Sequence, residues 1–217
     1  MEVRRSMDTP VTYLFDPLCG WCYGAVPVLE QLAAMPGIAL KLAPTGLFSG
    51  ENARPMDAEF AAYAWSNDQR IARLSGQSFS EAYRRNCLLT AGVRFDSGPA
   101  TLALTAVALS APAHEPEALK AIQTSRYVDG CNVTDFLVLS GILHGLGLNE
   151  AAERIAAPDI NLLAASDARI ADARADMRRS RAEGVPALLV GEGQHRRLIR
   201  ASTLFGNPDA LIAGLQA

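Results

Sequence analysis

The sequence predicts an α/β fold whose central sheet is built from both ends of the chain, with a block of helices between the two parts. Three patterns predict it: a strand, a helix and a strand at the start, helical patterns in the middle, and two strands and a helix at the end. With 217 residues, 49% of them apolar, the chain can bury a core without disulfides or metals.

The first part of the sheet comes from a strand, a helix and a second strand. Residues 11–15 are β-branched and aromatic and end at Asp16, which is typical of a buried strand entering a turn. Apolar residues at helical spacing follow from residue 20 to residue 35, and residues 38–43 alternate as a strand does. The pattern predicts a βαβ unit with a right-handed crossover.

The middle and the end of the chain complete the layout. From about residue 57 to residue 183 the pattern indicates about six helices and no convincing strand. Residues 185–190 and 197–200 read as two strands joined by a glycine-containing turn, and a last helix follows Asn207 and Pro208. This order, β-α-β, helices, then β-β-α with a mixed central sheet, is that of a thioredoxin-like fold.

We therefore expect two parts of a thioredoxin-like domain, at residues 8–52 and 184–217, around an all-helical insertion domain at residues 53–183. The net charge is −3, and no Lys or Arg run is interleaved with aromatic residues, so no nucleic-acid partner is expected. No uninterrupted run of about 18 apolar residues occurs, so no membrane partner is expected either. The first ten residues lack an apolar signal segment, which favours a cytoplasmic location.

Cys19 and Cys22 carry the clearest chemical signal. They lie three residues apart, after a predicted strand and at the start of a predicted helix. Unpaired backbone N–H groups and the helix dipole stabilise a thiolate in the first turn, which is where Cys19 lies. Cys22 starts the apolar stripe of the helix and should be more buried. We predict a redox pair in which Cys19 attacks and Cys22 resolves the mixed disulfide.

Two other interpretations of the pair are weaker. Two buried structural thiols rarely begin a helix directly after a strand. A zinc site needs two further ligands, and Cys87 and Cys131 lack the paired spacing of such sites, so no metal is predicted. Cys87 has an apolar helical context and is expected to be a buried small hydrophobe, whereas a second disulfide or a regulatory thiol stays open for Cys131.

The chain resembles the DsbA-like branch of the thioredoxin superfamily, in which a helical domain interrupts the thioredoxin fold. Cys19-Gly20-Trp21-Cys22 matches the redox motif, Pro27 falls inside the following helix, and Gly184-Val185-Pro186 opens a later strand. The longer string from Asp16 to Gly24 is similar to cytoplasmic predicted protein-disulfide isomerases and to the FrnE group. The resemblance implies a thiol–disulfide oxidoreductase acting on protein disulfides, as reductase or isomerase.

The resemblance also implies site residues. Pro186 corresponds to a proline with a cis peptide bond that lies opposite the motif, where the backbone of Val185 binds substrate chains. Trp21 either covers the disulfide and contacts substrate or joins the core, and Tyr23 either lines the groove or packs under the inserted helices. No cofactor is implied; the expected partners are protein thiols and disulfides or glutathione, which is a candidate redox partner.

Two departures from the family pattern matter. DsbA-type oxidants carry Pro-His between the cysteines, whereas this chain has Gly20 and Trp21, so strong oxidising power is not implied. Thioredoxins place a buried acid on the first strand to take the proton of the resolving cysteine, but residues 11–15 contain none. Asp16 is the nearest carboxylate, and a turn-capping role is as well founded for it as proton transfer.

Two other functions stay open. Kappa-class glutathione transferases and 2-hydroxychromene-2-carboxylate isomerases share the architecture but use a serine or a lone nucleophile near the position of Cys19. A non-catalytic module could instead bind a partner at Val185 and Pro186 and use the cysteines to sense oxidation. The intact cysteine pair argues against the first of these. The sequence does not predict the reduction potential or the oligomeric state.

Overall fold

The computed structural model describes residues 8–216. Residues 1–7 and Ala217, which include most of the N-terminal segment weighed above, lie outside the described residues. The strands are β1 (Thr9–Phe15), β2 (Ile38–Pro44), β3 (Arg54–Pro55), β4 (Arg94–Phe95), β5 (Ala187–Val190) and β6 (Arg197–Arg200).

Eleven α-helices occur within the described residues: α1 (Gly20–Gly24), α2 (Val26–Ala34), α3 (Ala58–Ser75), α4 (Glu81–Tyr83), α5 (Gly98–Ser110), α6 (Glu115–Tyr127), α7 (Phe136–Gly145), α8 (Asn149–Ala156), α9 (Ile160–Ser180), α10 (Ala201–Gly206) and α11 (Pro208–Gln216). A single π-helical turn at Arg84–Leu88 follows α4. None of the described helices is long and apolar enough to cross a membrane.

The central sheet has four strands in the order β2-β1-β5-β6, so strands from both ends of the chain share it. β1 pairs in parallel with β2, with Thr9 opposite Ile38 and Phe15 opposite Pro44. β1 pairs antiparallel with β5, and β5 pairs antiparallel with β6. The helical crossover accounts for the parallel pair β1–β2, and the short connection accounts for the antiparallel hairpin β5–β6. The antiparallel pairing of β1 with β5 joins the two ends of the chain and is decided by the tertiary fold.

The helix predicted from residue 20 to residue 35 is broken at Ala25, which separates α1 from α2. The N–H of Ala25 donates to the carbonyl oxygens of Trp21 and Cys22 at 3.1 and 3.2 Å. Pro27 lies in the first turn of α2 and has no N–H with which to continue the ladder of α1. The apolar spacing runs through the break, which is why periodicity predicted one helix.

The middle of the chain contains seven described α-helices, α3 to α9, where about six were predicted. The prediction of no strand there was wrong at β4, which pairs antiparallel with β3. Two residues carry no alternation that a sequence pattern can detect. The boundaries at residues 53 and 183 stay a prediction; α3 begins at Ala58 and α9 ends at Ser180.

The end of the chain holds a helix that the pattern did not predict. α10 lies between β6 and Asn207, is only six residues long and buries Leu204. Its Phe205 packs edge-on against Trp21, with ring centroids 5.1 Å apart. α10 therefore brings a residue from the last part of the chain next to the cysteine pair.

Two packed regions meet at the cysteine pair. The larger core packs one face of the sheet, the face that carries Val11 and Leu188, against α2, α5 and their neighbours, and it includes Cys19 and Cys22. The second is a cluster of aromatic rings between α1 and the inserted helices, here called the aromatic cluster and made of Tyr23, Phe79, Tyr83 and Tyr127.

Candidate active site

Cys19 lies immediately before the first residue of α1, in extended backbone conformation, and is 7% exposed. Its thiol Sγ lies 3.9 Å from the carbonyl oxygen of Val185, across the gap between α1 and the start of β5. The peptide bond between Val185 and Pro186 is cis. The fold thus brings together Cys19 and two residues that are more than 160 positions away in the chain.

Cys22 lies on α1, one turn beyond Cys19, and is fully buried. Burial raises the pKa of the Cys22 thiol well above its ordinary value, and a hydrogen bond with the Cys19 thiol raises it further. A hydrogen bond fixes the backbone of Cys22 to the central sheet: the hydroxyl of Tyr13 on β1 donates to the carbonyl oxygen of Cys22 at 3.2 Å. The two thiols are therefore unequal: Cys22 is the shielded, protonated partner.

Asp16 is fully buried at the end of β1. Its carboxylate accepts hydrogen bonds from the backbone N–H groups of Leu18 and Phe48, at 2.9 and 3.1 Å, and from the hydroxyl of Ser97 at 2.7 Å. Burial raises the pKa of Asp16 more than these bonds lower it. A backbone hydrogen bond with Asp16 lowers the pKa of Cys22, whereas the charge of the Asp16 carboxylate raises it.

Trp21 and Tyr23 lie on opposite sides of α1. Trp21 is partly exposed beside Cys19, and the guanidinium of Arg70 lies 5.6 Å from the centre of its ring. Tyr23 is buried in the aromatic cluster and stacks on Tyr127 with ring centroids 4.7 Å apart. This burial favours packing under the inserted helices, rather than substrate binding, as the role of Tyr23.

A cavity of about 210 Å³ opens beside the cysteine pair. Apolar side chains from α1, from the loop after β2 and from α3 form most of its wall, which includes Cys19, Trp21, Phe48, Phe60, Tyr63 and Asp68. Tyr63 is 65% exposed at the rim. The wall offers apolar contact to a peptide or a small thiol compound next to the Cys19 sulfur.

The sequence did not single out Asp68, which is the one acid in the wall of this cavity among the described residues. Asp68 is 4% exposed, and the hydroxyl of Tyr83 donates to its Oδ2 at 3.0 Å. Burial raises the pKa of Asp68 to about 7. The only signal in the sequence was an acid in the interior of a helical pattern, which does not show which helix face is buried.

Arg126 is a second buried charge that the sequence did not reveal. It is 1% exposed, and its three guanidinium nitrogens have no hydrogen-bond partner among the described residues. The guanidinium lies 5.4 to 5.7 Å from the ring centres of Tyr83, Phe95 and Tyr127. The faces of these rings carry negative charge density that stabilises the cation.

The two remaining cysteines lie near each other in the inserted helices. The thiol of Cys87 lies 3.4 Å from the carbonyl oxygen of Cys131, and burial raises the pKa of Cys87. Cys87 is 1% exposed, which agrees with its expected role as a small hydrophobe, and Cys131 is partly exposed. No group of three or more metal-binding side chains occurs within the part of the chain that the structure describes.

A larger cavity, of about 880 Å³, has neither Cys19 nor Cys22 in its wall. It lies between α2, β2, α6 and α7, and its wall includes Leu29, Glu30 and Lys120. The ammonium of Lys120 pairs with the carboxylate of Glu30 at its edge. Because no cysteine is among the described residues that line this cavity, we place the chemistry at the smaller one.

The chain is similar over almost its whole length to two solved structures of the cytosolic disulfide reductase DsbM from Pseudomonas aeruginosa. One is 31% identical and covers 95% of this chain and 97% of that chain, with a TM-score of 0.84. The chain belongs to the DsbA-like thiol–disulfide oxidoreductases of the thioredoxin superfamily. The other DsbM structure, determined with GSH, is 32% identical over the same shares, with a TM-score of 0.82.

Other solved structures support the fold of this DsbA-like protein. A putative protein disulfide isomerase from Nitrosomonas europaea is 24% identical, covers 96% of each chain and has a TM-score of 0.77. No protein-family model matches the chain, and no curated protein matches it. The predicted thioredoxin-like fold with inserted helices and the predicted oxidoreductase class are confirmed. The roles of individual site residues stay predictions.

Proposed function

We propose that this DsbA-like protein reduces disulfides of proteins and of glutathione adducts in the cytoplasm, with Cys19 as the attacking thiolate and Cys22 as the resolving thiol. The observation that carries the proposal is the arrangement around Cys19. Its sulfur lies at the start of α1, at the mouth of an apolar cavity and 3.9 Å from the backbone of Val185, while Cys22 is fully buried behind it.

In the first step the Cys19 thiolate attacks one sulfur of a substrate disulfide. A bond forms between Cys19 Sγ and that sulfur, and the substrate S–S bond breaks, so the other substrate sulfur leaves with the electron pair. The backbone of Val185 lies beyond the pairing of β5 with β1, which begins at Ala187. Its polar groups are therefore placed to hold an extended substrate chain, with Trp21 and Phe48 as apolar contacts.

In the second step Cys22 attacks Cys19 Sγ, and the first substrate sulfur leaves as a thiolate. Cys22 must lose its proton first, because burial keeps its pKa high. Asp16 is the acceptor we propose, since its carboxylate is buried at the end of β1 and interacts with Cys22. The pair ends as a disulfide and the substrate as two thiols, so two electrons have moved to the substrate.

Glutathione is the electron donor we propose. Two glutathione thiols return the Cys19–Cys22 disulfide to the dithiol: the first forms a mixed disulfide with Cys19, and the second releases glutathione disulfide. The two DsbM neighbours are named cytosolic disulfide reductases, which supports the reducing direction and the cytoplasmic location. One of them was determined with GSH, which supports glutathione as the donor.

The test is a Cys22→Ala variant, which can attack a substrate but cannot resolve the intermediate. Incubated with glutathione disulfide, it should accumulate one glutathione on Cys19, visible by intact mass and removed by dithiothreitol. Incubated with a protein that contains an accessible disulfide, it should form a reducible adduct of higher mass. A Cys19→Ala variant should form neither, and Cys87→Ala is the matched control that removes a buried thiol outside the pair.

The alternatives give different outcomes in the same experiment. A 2-hydroxychromene-2-carboxylate isomerase shares the fold at 16% identity and a TM-score of 0.61, which concerns the fold alone. If no adduct forms on Cys19 while the protein conjugates glutathione to an electrophile such as chlorodinitrobenzene, the transferase alternative replaces the proposal. If neither reaction occurs, the protein is a binding module.

A further inference from the structure

We propose that Asp68 is a catalytic acid–base residue of this site, which gives a proton to the substrate sulfur that leaves when Cys19 attacks. The inference rests on the proposed function and adds a residue from the inserted helices to it. The two acids then exchange protons with different sulfur atoms. Asp68 protonates the leaving substrate sulfur on the cavity side, and Asp16 accepts the proton of the buried Cys22.

Geometry places the Asp68 carboxylate against the motif itself. A Cβ atom added to Gly20 would lie 2.5 Å from Oδ1 of Asp68, closer than real contacts allow. Gly20 follows Cys19 directly, so this oxygen approaches the backbone between the two cysteines. Asp68 and Cys19 also line the same cavity of about 210 Å³. A substrate sulfur bound beside Cys19 in this cavity would therefore share the cavity with the Asp68 side chain.

The surroundings of Asp68 keep a proton available near neutral pH. Oδ2 accepts one hydrogen bond, from the hydroxyl of Tyr83, which lowers the pKa of Asp68, as does the charge of Arg126 on α6. Burial outweighs both and raises the pKa to about 7. Tyr127 on α6 interacts electrostatically with Asp68, and two further titratable residues, Cys19 and Tyr63, line the same cavity.

Arg126 does not neutralise Asp68 by direct contact. No salt bridge joins the two groups in the described part of the chain, and the guanidinium is enclosed by Tyr83, Phe95 and Tyr127. A contacting arginine would hold an aspartate ionised. Because the cation is kept behind the rings, the carboxyl group can lose and regain a proton near neutral pH, which general acid–base catalysis requires.

The proton balance closes over one cycle. When Cys19 attacks a disulfide R–S–S–R′, protonated Asp68 gives its proton to the leaving R′ sulfur, which departs as a thiol. Cys22 passes its proton to Asp16 and displaces the R sulfur, which takes a proton from water. Asp68 regains its proton from the first glutathione thiol, whose thiolate then attacks Cys19 Sγ. Asp16 returns its proton to the departing Cys22, and the second glutathione thiol gives its proton to water.

The experiment compares two kinds of leaving sulfur in the Cys22→Ala background, where only the first step occurs. The alkyl disulfides are glutathione disulfide and hydroxyethyl disulfide, whose leaving thiolates are basic and need a proton. The aromatic disulfide is Ellman's reagent, whose leaving thiolate is weakly basic and needs none. Asp68→Asn should slow the reaction with the alkyl disulfides on the order of 100-fold and leave that with Ellman's reagent nearly unchanged.

Controls separate chemistry from structure. Glu59→Gln removes an exposed acid from the same helix and should change neither rate. Tyr83→Phe removes the hydrogen bond that lowers the pKa of Asp68, so the decline of the alkyl-disulfide rate with rising pH should move to higher pH. Asp68→Glu should restore part of the alkyl-disulfide rate.

Two results overturn the inference. Equal slowing of both disulfide types by Asp68→Asn would show a structural role, and no slowing of either would show no role. Failure of the proposed function would give a different result: the Cys22→Ala protein with Asp68 intact would react with neither alkyl disulfide. The role of Asp68 would then be refuted together with the proposed function.

Discussion

The burial of Asp68 predicts a measurable loss of stability as pH rises. An aspartate in an unfolded chain has a pKa of about 3.9, whereas Asp68 in the folded protein has a pKa of about 7. Between these values the folded state holds a proton that the unfolded state has lost, so the free energy of unfolding decreases with rising pH. Each pH unit of this range removes about 1.4 kcal/mol, which gives about 4 kcal/mol in all.

Asp68→Asn removes this titration while keeping an oxygen for the Tyr83 hydroxyl. Asn resembles the protonated carboxyl group at every pH, so the variant should gain about 4 kcal/mol relative to the native sequence between pH 4 and pH 8. Other buried acids, Asp16 and Glu115 among them, titrate in both proteins and cancel in the difference.

The assay is urea unfolding at a series of pH values, with a reductant present to keep all thiols reduced. The quantity of interest is the difference in free energy of unfolding between the two proteins at each pH, not its value at one pH. Two stability curves that run parallel from pH 4 to pH 8 would refute the reasoning, because Asp68 would then have the same pKa in the folded and unfolded states.

Three further predictions concern other parts of the chain. Gly24→Ala places a Cβ 2.5 Å from Ile71 Cγ2 and should cost about 1–3 kcal/mol of stability, measured by the same unfolding assay. Arg169→Met leaves Glu115 buried without its ion-pair partner and should cost about 3–5 kcal/mol at neutral pH. The loss of stability in Arg169→Met should become smaller as pH falls, because Glu115 then takes up a proton. A loss that does not change with pH would contradict this prediction. Cys87, buried and with a raised pKa, should react with iodoacetamide only after unfolding, as mass mapping of the alkylated peptides would show.

Local patterns carried the prediction of the sheet and of the cysteine pair. β1 is a run of apolar β-formers ended by turn residues, and Cys19 and Cys22 follow it within a few positions, so neighbouring residues contain all the necessary information. Val185 and Pro186, just before β5, were expected opposite the pair because of the family resemblance and not because of a local pattern. Local patterns failed where an element is short, as at β4 and α10, or where Pro27 interrupts a continuous apolar stripe.

The electrostatics of the site depend on residues that only the tertiary structure brings together. Asp68, Tyr83 and Arg126 lie on three different helices, and nothing in the sequence around each of them shows which side chains enclose it. A pKa depends on burial and on neighbouring charges, both of which arise from packing between distant segments. The sequence by itself determined that two cysteines lie one helical turn apart directly after the first strand, which is the spacing that predicts disulfide exchange. Only the folded chain decided that Tyr23 packs in the aromatic cluster, and that a buried carboxyl group from the inserted helices lies beside Gly20.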